Sequence, residues 1–414
     1  MTASRTRWLI LALVFAAGII NYADRQIIAV LKPVLEEQFN WSDRDFAHMG
    51  SAFQLTAAAA FLGAGWYIDK VGLRIGYPIA VGAWSAAAIA HAFARTVPQF
   101  IFVRALLGAA EAVNTPASVK AVATWFPVKE RSLALGIMNT ATNIGAIITP
   151  LSVPIIALAW GWQWAFIIPG LLGFVWVICW FLVKKPVQDA VAAQEAETST
   201  TVAPPADKVR WTTLFKDRRT WAIAGAKALT DQVWWFLLFW MPDFFSRVFE
   251  LNMRQVGPPV AAIYAMAAVG AFTGGLIPSR LMAAGWSVNR ARKTTMFVAA
   301  LLVLPVILVF QVESHWAAVF LVGMALFAHQ AFSTNIFAFT ADIFPARIVG
   351  SAIGIGALAG NLSGMAMLEF TGWVLDTRNV YWPMFAIVSV SYMLAFLWIQ
   401  LLVPVIRTPE DRPV

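Results

Sequence analysis

The sequence predicts an all-α integral membrane protein with twelve transmembrane helices arranged in two six-helix halves. Hydrophobic residues make up 60% of its 414 positions and charged residues only 13%, about half the charged share of a typical soluble domain. Apolar runs long enough to cross a hydrocarbon core of about 30 Å recur along the whole chain. An internal repeat relates one half of these runs to the other.

The apolar runs place the helices in the following order. The predicted spans are 8–31, 44–67, 76–95, 98–121, 131–156, 161–183, 220–247, 257–282, 294–311, 316–342, 347–374 and 380–404. The first run starts after two arginines and resembles a signal peptide. Because it contains Asn21, Asp24 and Arg25 and many similar runs follow it, we interpret it as a retained spanning helix.

The basic residues lie mainly in the short connections between runs. With the N-terminus inside, twenty Lys and Arg residues fall in cytoplasmic segments, six in the opposite loops and four within helices. This asymmetry predicts that both termini lie in the cytoplasm. It also explains the net charge of +8 without a nucleic-acid partner. The single cysteine, Cys179, excludes an intrachain disulfide and a Cys-based metal cluster.

One segment differs in composition from everything around it. Residues 186–219 are rich in Ala, Thr, Pro and charge, and such a segment cannot bury an apolar face. We therefore predict an N-terminal half over 1–185, a cytoplasmic linker over 186–219 and a C-terminal half over 220–414.

The two halves align without outside help at an offset of 218 residues. Segment 123–145 reads ATWFPVKERSLALGIMNTATNIG, and segment 341–363 reads ADIFPARIVGSAIGIGALAGNLS. The Phe126–Pro127 pair matches Phe344–Pro345, and Asn143 matches Asn361. A shared loop at a constant offset indicates an internal duplication rather than chance similarity of Gly/Ala-rich helices.

Residues 65–74, GWYIDKVGLR, lie between the second and third predicted helices. They resemble the signature of the major facilitator superfamily, in which two six-helix halves form the major facilitator fold. The resemblance implies a gating latch carried by Gly65, Asp69, Lys70, Gly72 and Arg74, in which Gly65 lets two helices approach closely. An ordinary charged loop is the alternative.

Further motifs resemble one branch of that superfamily. They are NYADR at 21–25, RALLGAAEAVNTPASVKAVATWFP at 104–127, GWQWAF at 161–166, WWFLLFWMP at 234–242, GWSVNRARK at 285–293 and AHQAFSTN at 328–335. Together they resemble the anion:cation symporters, and among these the bacterial hexuronate transporters for galacturonate and glucuronate. Where such transporters carry a tyrosine in the second helix, this chain has only Thr56 and four alanines, which leaves the particular sugar acid open.

Four charged residues fall deep within predicted helices, where each costs about 2.5–3.5 kcal/mol to insert. Asp24 lies roughly 24 Å from the start of the first helix, and Arg104 roughly 9 Å from the outer start of the fourth, at 1.5 Å per residue. Glu111 is two turns beyond Arg104 on the same face. We therefore expect Asp24, Arg25, Arg104 and Glu111 to lie at similar depth and to face one another.

Charge balance suggests what these groups do. Two arginines and two ionised carboxylates sum to zero, so a proton on Asp24 or Glu111 makes the cluster positive and favours a bound anion. Proton and anion then bind cooperatively, as linkage requires. The resemblance implies the same roles, with Arg25 and Arg104 for the substrate carboxylate and Asp24 and Glu111 for protons. A neutral salt-bridge network between the helices is the structural alternative.

Other polar or aromatic residues are weaker candidates for substrate contacts, and helix packing is the alternative for each. They are Tyr22, Trp235, Gln330, Asn335 and Asn361. Lys227 and Asp231, four residues apart, are expected to neutralise each other. His329 falls at the repeat position of Glu111, and a structural role is favoured for it.

These observations predict a secondary active transporter that couples protons to uptake of a sugar acid by alternating access. The predicted partners are a small carboxylate substrate and the lipid bilayer, the protein acts as a monomer, and no cofactor is required beyond the proton. Enzyme motifs such as HExxH, GxSxG or a phosphate loop do not occur. An organic-anion exchanger without proton coupling and, less favoured, an efflux pump for amphipathic compounds stay open.

Overall fold

A computed structural model describes residues 3–126, 128–183, 214–344 and 346–406 of the chain. Within these ranges every regular element is helical and no strand occurs. The predicted all-α membrane fold is confirmed. Residues 186–213 of the predicted linker lie outside the described residues. Residues 214–217 form a turn that leads directly into a helix beginning at Arg218.

The first half contains seven helices. They form six passages, where a passage is one helix, or two consecutive helices, long enough to cross a membrane once. The helices are α1 (Ala3–Phe39), α2 (Asp43–Val71), α3 (Leu73–His91), α4 (Val97–Glu111), α5 (Asn114–Trp125), α6 (Val128–Trp160) and α7 (Trp162–Leu182).

The second half makes six more passages. They are α8 (Arg218–Val248), α9 (Met253–Ala283), α10 (Val288–Val303) continued by a 3-10 segment (Leu304–Gln311), α11 (His315–Ile343), α12 (Ala346–Arg378) and α13 (Trp382–Leu402). The described residues thus contain the twelve passages that the sequence predicts, with α4 and α5 forming one passage between them.

The break between α4 and α5 has a local cause. Pro116 has no backbone N–H, so it cannot donate to the carbonyl of Ala112 in the preceding turn. The helix therefore ends at Glu111 and restarts at Asn114. In the second half, α11 runs unbroken through the corresponding stretch.

The repeat is visible in the bounds of the helices. Adding 218 to both ends of α6, at 128 and 160, gives both ends of α12, at 346 and 378. The same shift carries the start of α4 and the end of α5 onto the start and end of α11. The duplication inferred from one motif therefore extends over whole helices.

By length and apolar composition alone, nine of the described helices could span a membrane. The other three passages fall short for identifiable reasons. The separate pieces α4 and α5 have 15 and 12 residues, too few to cross a bilayer on their own. Charges lower the mean hydropathy of α2 and α8, which carry Asp43, Asp69, Lys227 and Asp231 among others.

The chain divides into two compact units. One comprises Met1–Pro205 with Asn252–Gly257, and the other comprises Ala206–Leu251 with Pro258–Val414. The main boundary along the chain falls between α7 and α8, where most residues lie outside the described ranges. The first unit carries the four predicted charges of α1 and α4, and the second carries the candidates on α8, α11 and α12.

Candidate functional site

Small residues bring the helices of the first unit close together around the predicted charges. A Cβ at Gly108 of α4 would lie 2.7 Å from the Thr56 hydroxyl and 3.1 Å from the Phe53 carbonyl carbon of α2. A Cβ at Gly145 of α6 would lie 2.7 Å from the Ile19 carbonyl oxygen of α1. Only glycine fits such backbone contacts, so these positions set where the polar side chains of α1, α2 and α4 meet.

Arg25 and Glu111 form a direct ion pair between α1 and α4. The Arg25 Nε donates to Glu111 Oε2 at 2.7 Å, and the Glu111 side chain is fully buried. The guanidinium also lies over the rings of Tyr22 at 5.2 Å and Phe53 at 5.4 Å. Pairing and aromatic contact together hold Arg25 in place at the site.

Arg104 lies beside this pair but does not join it. Its side chain is 0% exposed, and its Nη1 donates to the Arg25 backbone carbonyl at 3.4 Å. Its Nε and Nη2 have no hydrogen-bond partner among the described residues. Those two nitrogens form the edge of a guanidinium that can hold a carboxylate through two parallel bonds.

Asp24 is the fourth member of the cluster. It is 1% exposed, and neither carboxyl oxygen has a hydrogen-bond partner among the described residues. It lies within electrostatic range of Arg25, Arg104 and Glu111. The structure thus brings together the four charges that the sequence singled out, and it pairs Arg25 with Glu111 while leaving Asp24 and one edge of Arg104 unpaired.

Sequence reasoning missed several buried polar side chains of the first unit, among them Gln54 and His91. Gln54 of α2 is 1% exposed and neither end of its amide is hydrogen-bonded within the described residues. The His91 ring of α3 stacks on Phe166 at 4.9 Å and lies within electrostatic range of Arg104. Neither residue belongs to a motif. Each is a single polar residue within an apolar run, which was the only feature of the sequence that could have identified it.

The second-half candidates differ in burial and in their hydrogen bonds. Asn335 is 0% exposed and its amide nitrogen donates to the carbonyls of Gly274 and Ala331, which favours the helix-packing alternative. Asn361 is partly exposed and donates to Ala357 within its own helix. Trp235 is 8% exposed, and Gln330 is partly exposed.

His329 is held by two aromatic neighbours within the second unit. Its ring stacks on Trp234 at 5.1 Å, and its Nδ1 forms a short hydrogen bond with the Tyr392 hydroxyl. A buried imidazole satisfied in this way fits the structural role that the sequence favoured.

The predicted gating motif is not a loop. Residues 65–71 form the last turns of α2, and Gly72 alone, at φ +84°, connects α2 to α3. The expectation that Gly65 lets two helices approach closely is wrong for this structure, because a Cβ there would meet no described atom within 4 Å. A positive φ explains Gly72 instead, since other residues rarely adopt it.

The motif's acid has a partner that the sequence did not identify. Asp69 Oδ1 pairs with the Nζ of Lys120 on α5 at 2.7 Å, and the same ammonium donates to the Ile68 carbonyl at 3.1 Å. Lys70 instead lies over the Trp66 ring at 4.8 Å, and the Arg74 side chain is exposed. Lys120 had no predicted role, because nothing in its spacing connects it to a residue 51 positions earlier.

A family model for the Major Facilitator Superfamily matches residues 14–364, which include the whole cluster and most of both halves. The chain belongs to the Major Facilitator Superfamily. The prediction of a multi-pass membrane transporter rather than an enzyme is thereby confirmed.

Curated relatives of this Major Facilitator protein extend over nearly its whole length. It is 29% identical to a hexuronate transporter of Escherichia coli (strain K12), over 94% of this chain and 92% of the relative. It is 26% identical to a D-galactonate transporter of Escherichia coli O6:H1, over 89% of each chain. A hexuronate transporter of Bacillus subtilis (strain 168) is 24% identical over 91% and 90%. The predicted resemblance to hexuronate transporters is confirmed.

Solved structures agree on the fold. A bacterial homologue of the human lysosomal transporter Spinster, in an inward-facing and occupied conformation, superposes with a TM-score of 0.75 at 18% identity and covers 99% of this chain and 98% of that one. A D-xylose–proton symporter superposes with a TM-score of 0.73 at 14% identity, covering 98% and 99%. At these identities the likeness establishes the major facilitator fold alone.

Proposed function

We propose that this protein is a proton-coupled importer of a sugar acid of the hexuronate class, working by alternating access. The observation that carries the proposal is the free Nε/Nη2 edge of Arg104, buried beside an unpaired Asp24. Curated relatives named for hexuronate and galactonate transport support the substrate class.

The coupling follows from the charges of the first unit. Arg25 and Glu111 neutralise each other at 2.7 Å, so Asp24 is the acid that can balance Arg104. An ionised carboxylate or guanidinium that is buried without a partner is strongly disfavoured. When Asp24 accepts a proton, the cluster carries one net positive charge, and Arg104 can hold the carboxylate of the substrate.

Release reverses these steps. When Asp24 loses its proton, the cluster becomes neutral and its attraction for the substrate anion falls. By linkage, the proton strengthens anion binding by the same factor as the anion strengthens proton binding. We place the protein in the bacterial inner membrane as a monomer with both termini in the cytoplasm, consistent with the charge asymmetry of its loops.

The test is uptake of radiolabelled galacturonate into proteoliposomes, with and without an inward proton gradient. We expect saturable uptake that the gradient stimulates. Arg104→Ala should abolish it, and Arg104→Lys should raise KM at least about tenfold, equivalent to about 1.4 kcal/mol, because lysine keeps the charge but lacks the planar fork.

Two results would contradict the proposal in different ways. Absence of saturable uptake for galacturonate, glucuronate and a panel of aldonates would remove the sugar-acid class. Saturable uptake that is indifferent to the gradient would indicate an exchanger or facilitator, and would remove the proton coupling while leaving the substrate class intact.

A further inference from the structure

The second unit carries a charged pair that the mechanism above does not use. Three side chains of α8, spaced four residues apart, each lie against a glycine of α12 with the same spacing. They are Lys227 on Gly356, Asp231 on Gly360 and Trp235 on Gly364. A Cβ at Gly360 would lie 2.9 Å from the Asp231 carboxyl carbon, so the glycines leave room for these side chains between the two helices.

Lys227 and Asp231 form an ion pair within that contact. The Lys227 Nζ lies 2.8 Å from Asp231 Oδ1, and the two side chains are 10% and 16% exposed. The ammonium also lies over the Phe337 ring at 5.0 Å. Asp231 is the only acid paired with Lys227 among the described residues, so the pair stays neutral only while Asp231 is ionised.

The helices packed around α8 bring few other titratable groups to this pair. His329 of α11 is within electrostatic range of Lys227, and Tyr392 of α13 is within range of Asp231. These two residues are hydrogen-bonded to each other. The described part of α12 presents glycine to both charged side chains. Among the described residues, no second acid is therefore placed to hold Lys227 if Asp231 becomes neutral.

The internal repeat argues that the fold does not need this pair. The positions 218 residues earlier are Leu9 and Leu13 of α1, so the first half has no charged pair at the corresponding positions. A buried ion pair is often no more stable than hydrophobic residues of similar size. Packing alone therefore gives no reason for Lys227 and Asp231.

We propose that Asp231 is a second proton-accepting site of the transporter, held entirely within the second unit. A proton added to the Asp231 carboxylate breaks its ion pair, and Lys227 then supplies a positive charge that can bind an anion. Loss of the proton restores the neutral pair. This inference rests on the proposed function, and it predicts that each transport cycle moves one proton more than Asp24 alone accounts for.

The proton-to-substrate stoichiometry tests this directly. It can be measured in proteoliposomes as the membrane potential at which net galacturonate flux is zero for a set proton gradient. We expect Asp231→Asn to carry one proton fewer per substrate than the wild type. Asp342→Asn is the matched control, since it breaks another ion pair of the second unit, with Arg292, and should keep the wild-type stoichiometry.

The double variant Lys227→Gln/Asp231→Asn distinguishes a proton-accepting site from an ion pair that serves only helix packing. Removing both charges relieves the unpaired lysine but does not restore a proton acceptor, so its stoichiometry should match that of Asp231→Asn. Wild-type stoichiometry in either variant would overturn the inference. A wild type without any proton coupling would instead remove the proposed function, and the inference with it.

A measurement that needs no transport covers the case in which the variants are inactive. Infrared difference spectra of the purified protein between acidic and alkaline buffer report carboxyl groups that gain a proton. We expect one protonated-carboxyl band of the wild type to be missing in Asp231→Asn, or in the double variant if the single one does not fold. An unchanged set of bands would overturn the proposal.

Discussion

At the residue scale, the role that each charged side chain can have depends on which partner it contacts. Arg25 is partly buried and Arg104 fully buried in the first unit, yet only Arg25 has an acid at hydrogen-bond distance. The ion pair with Glu111 makes Arg25 a fixed part of the site. In the proposed mechanism, the unpaired edge of Arg104 is the group that binds the substrate carboxylate.

Lys293 gives a prediction at the same scale. The residue is 8% exposed. Its ammonium donates to Gln400 Oε1 at 2.6 Å, to the Val403 carbonyl at 2.7 Å and to the Pro404 carbonyl at 2.6 Å. It thereby caps the C-terminal end of α13. Lys293→Met should lower the free energy of unfolding by about 1.5–3 kcal/mol, measured by thermal denaturation in detergent.

The control for Lys293 is Arg290→Met. Arg290 is exposed and lies over the Trp286 ring at 4.2 Å, an interaction of about 0.5–1 kcal/mol at an exposed site. Equal melting of the two variants would contradict the capping role of Lys293.

The sequence predicted the four charges of the site because a charge in an apolar helix is costly and easily recognised. It did not predict the pairing, because spacing along α1 and α4 fixes depth and helix face but not which side chain reaches which. Asp69–Lys120 and the cap formed by Lys293 were missed for the same reason. Each joins residues more than fifty positions apart.

At the scale of helices, the close approach of α4 to α2 positions the site. Gly108→Ala would place a Cβ 2.7 Å from the Thr56 hydroxyl and 3.1 Å from a backbone carbon of Phe53. The helices must separate, which should cost about 1–3 kcal/mol and raise KM for the substrate, because Arg104 and Glu111 move with α4. Thermal stability and uptake kinetics measure the two effects.

Gly136→Ala is the matched control for the Gly108 prediction. Gly136 is also a helical glycine of the first unit, and a Cβ there would meet no described atom within 4 Å. We expect it to keep the wild-type KM and to gain up to about 1 kcal/mol from helix propensity. The same KM in both variants would show that the α2–α4 contact does not position Arg104.

Helix ends were predicted to within five residues, with two exceptions. The helix α10 begins six residues before its predicted start at 294, and α1 extends eight residues past its predicted end at 31, to Phe39. The hydrophobic run ends near there, but Lys32 is buried and paired with Glu36 at 2.7 Å and Asp43 at 2.8 Å. Neutralised charges let the helix continue where hydropathy alone predicts its end. The gating motif was placed between two predicted helices for a related reason, since charged residues within the last turns of α2 lower its hydropathy.

At the scale of the whole molecule, the duplication accounts for the architecture and also shows where the halves differ. The ends of α6 and α12 coincide at the 218-residue offset, so the helix bounds of one half predict those of the other. The two halves differ at the charged residues of the candidate site. Glu111 of the first half corresponds to His329 of the second, and the positions of Asp24 and Arg25 correspond to Pro242 and Asp243.

The orientation of the chain is a whole-molecule prediction. With twenty basic residues in one set of segments and six in the other, both termini should lie in the cytoplasm. A reporter active only in the periplasm should be active when fused after Glu250, between α8 and α9, and inactive when fused after Val414. The opposite pattern would invert the topology, and with it the direction in which proton binding and release are ordered.

The central claim is that proton and substrate are coupled through Asp24. The most direct test is Asp24→Asn in proteoliposomes, with radiolabelled galacturonate exchange and gradient-driven accumulation measured in the same preparation. Asparagine mimics the protonated acid, so we predict that exchange persists and that accumulation against a concentration gradient falls well below the wild-type level. Gradient-driven accumulation at the wild-type level in Asp24→Asn would contradict the account.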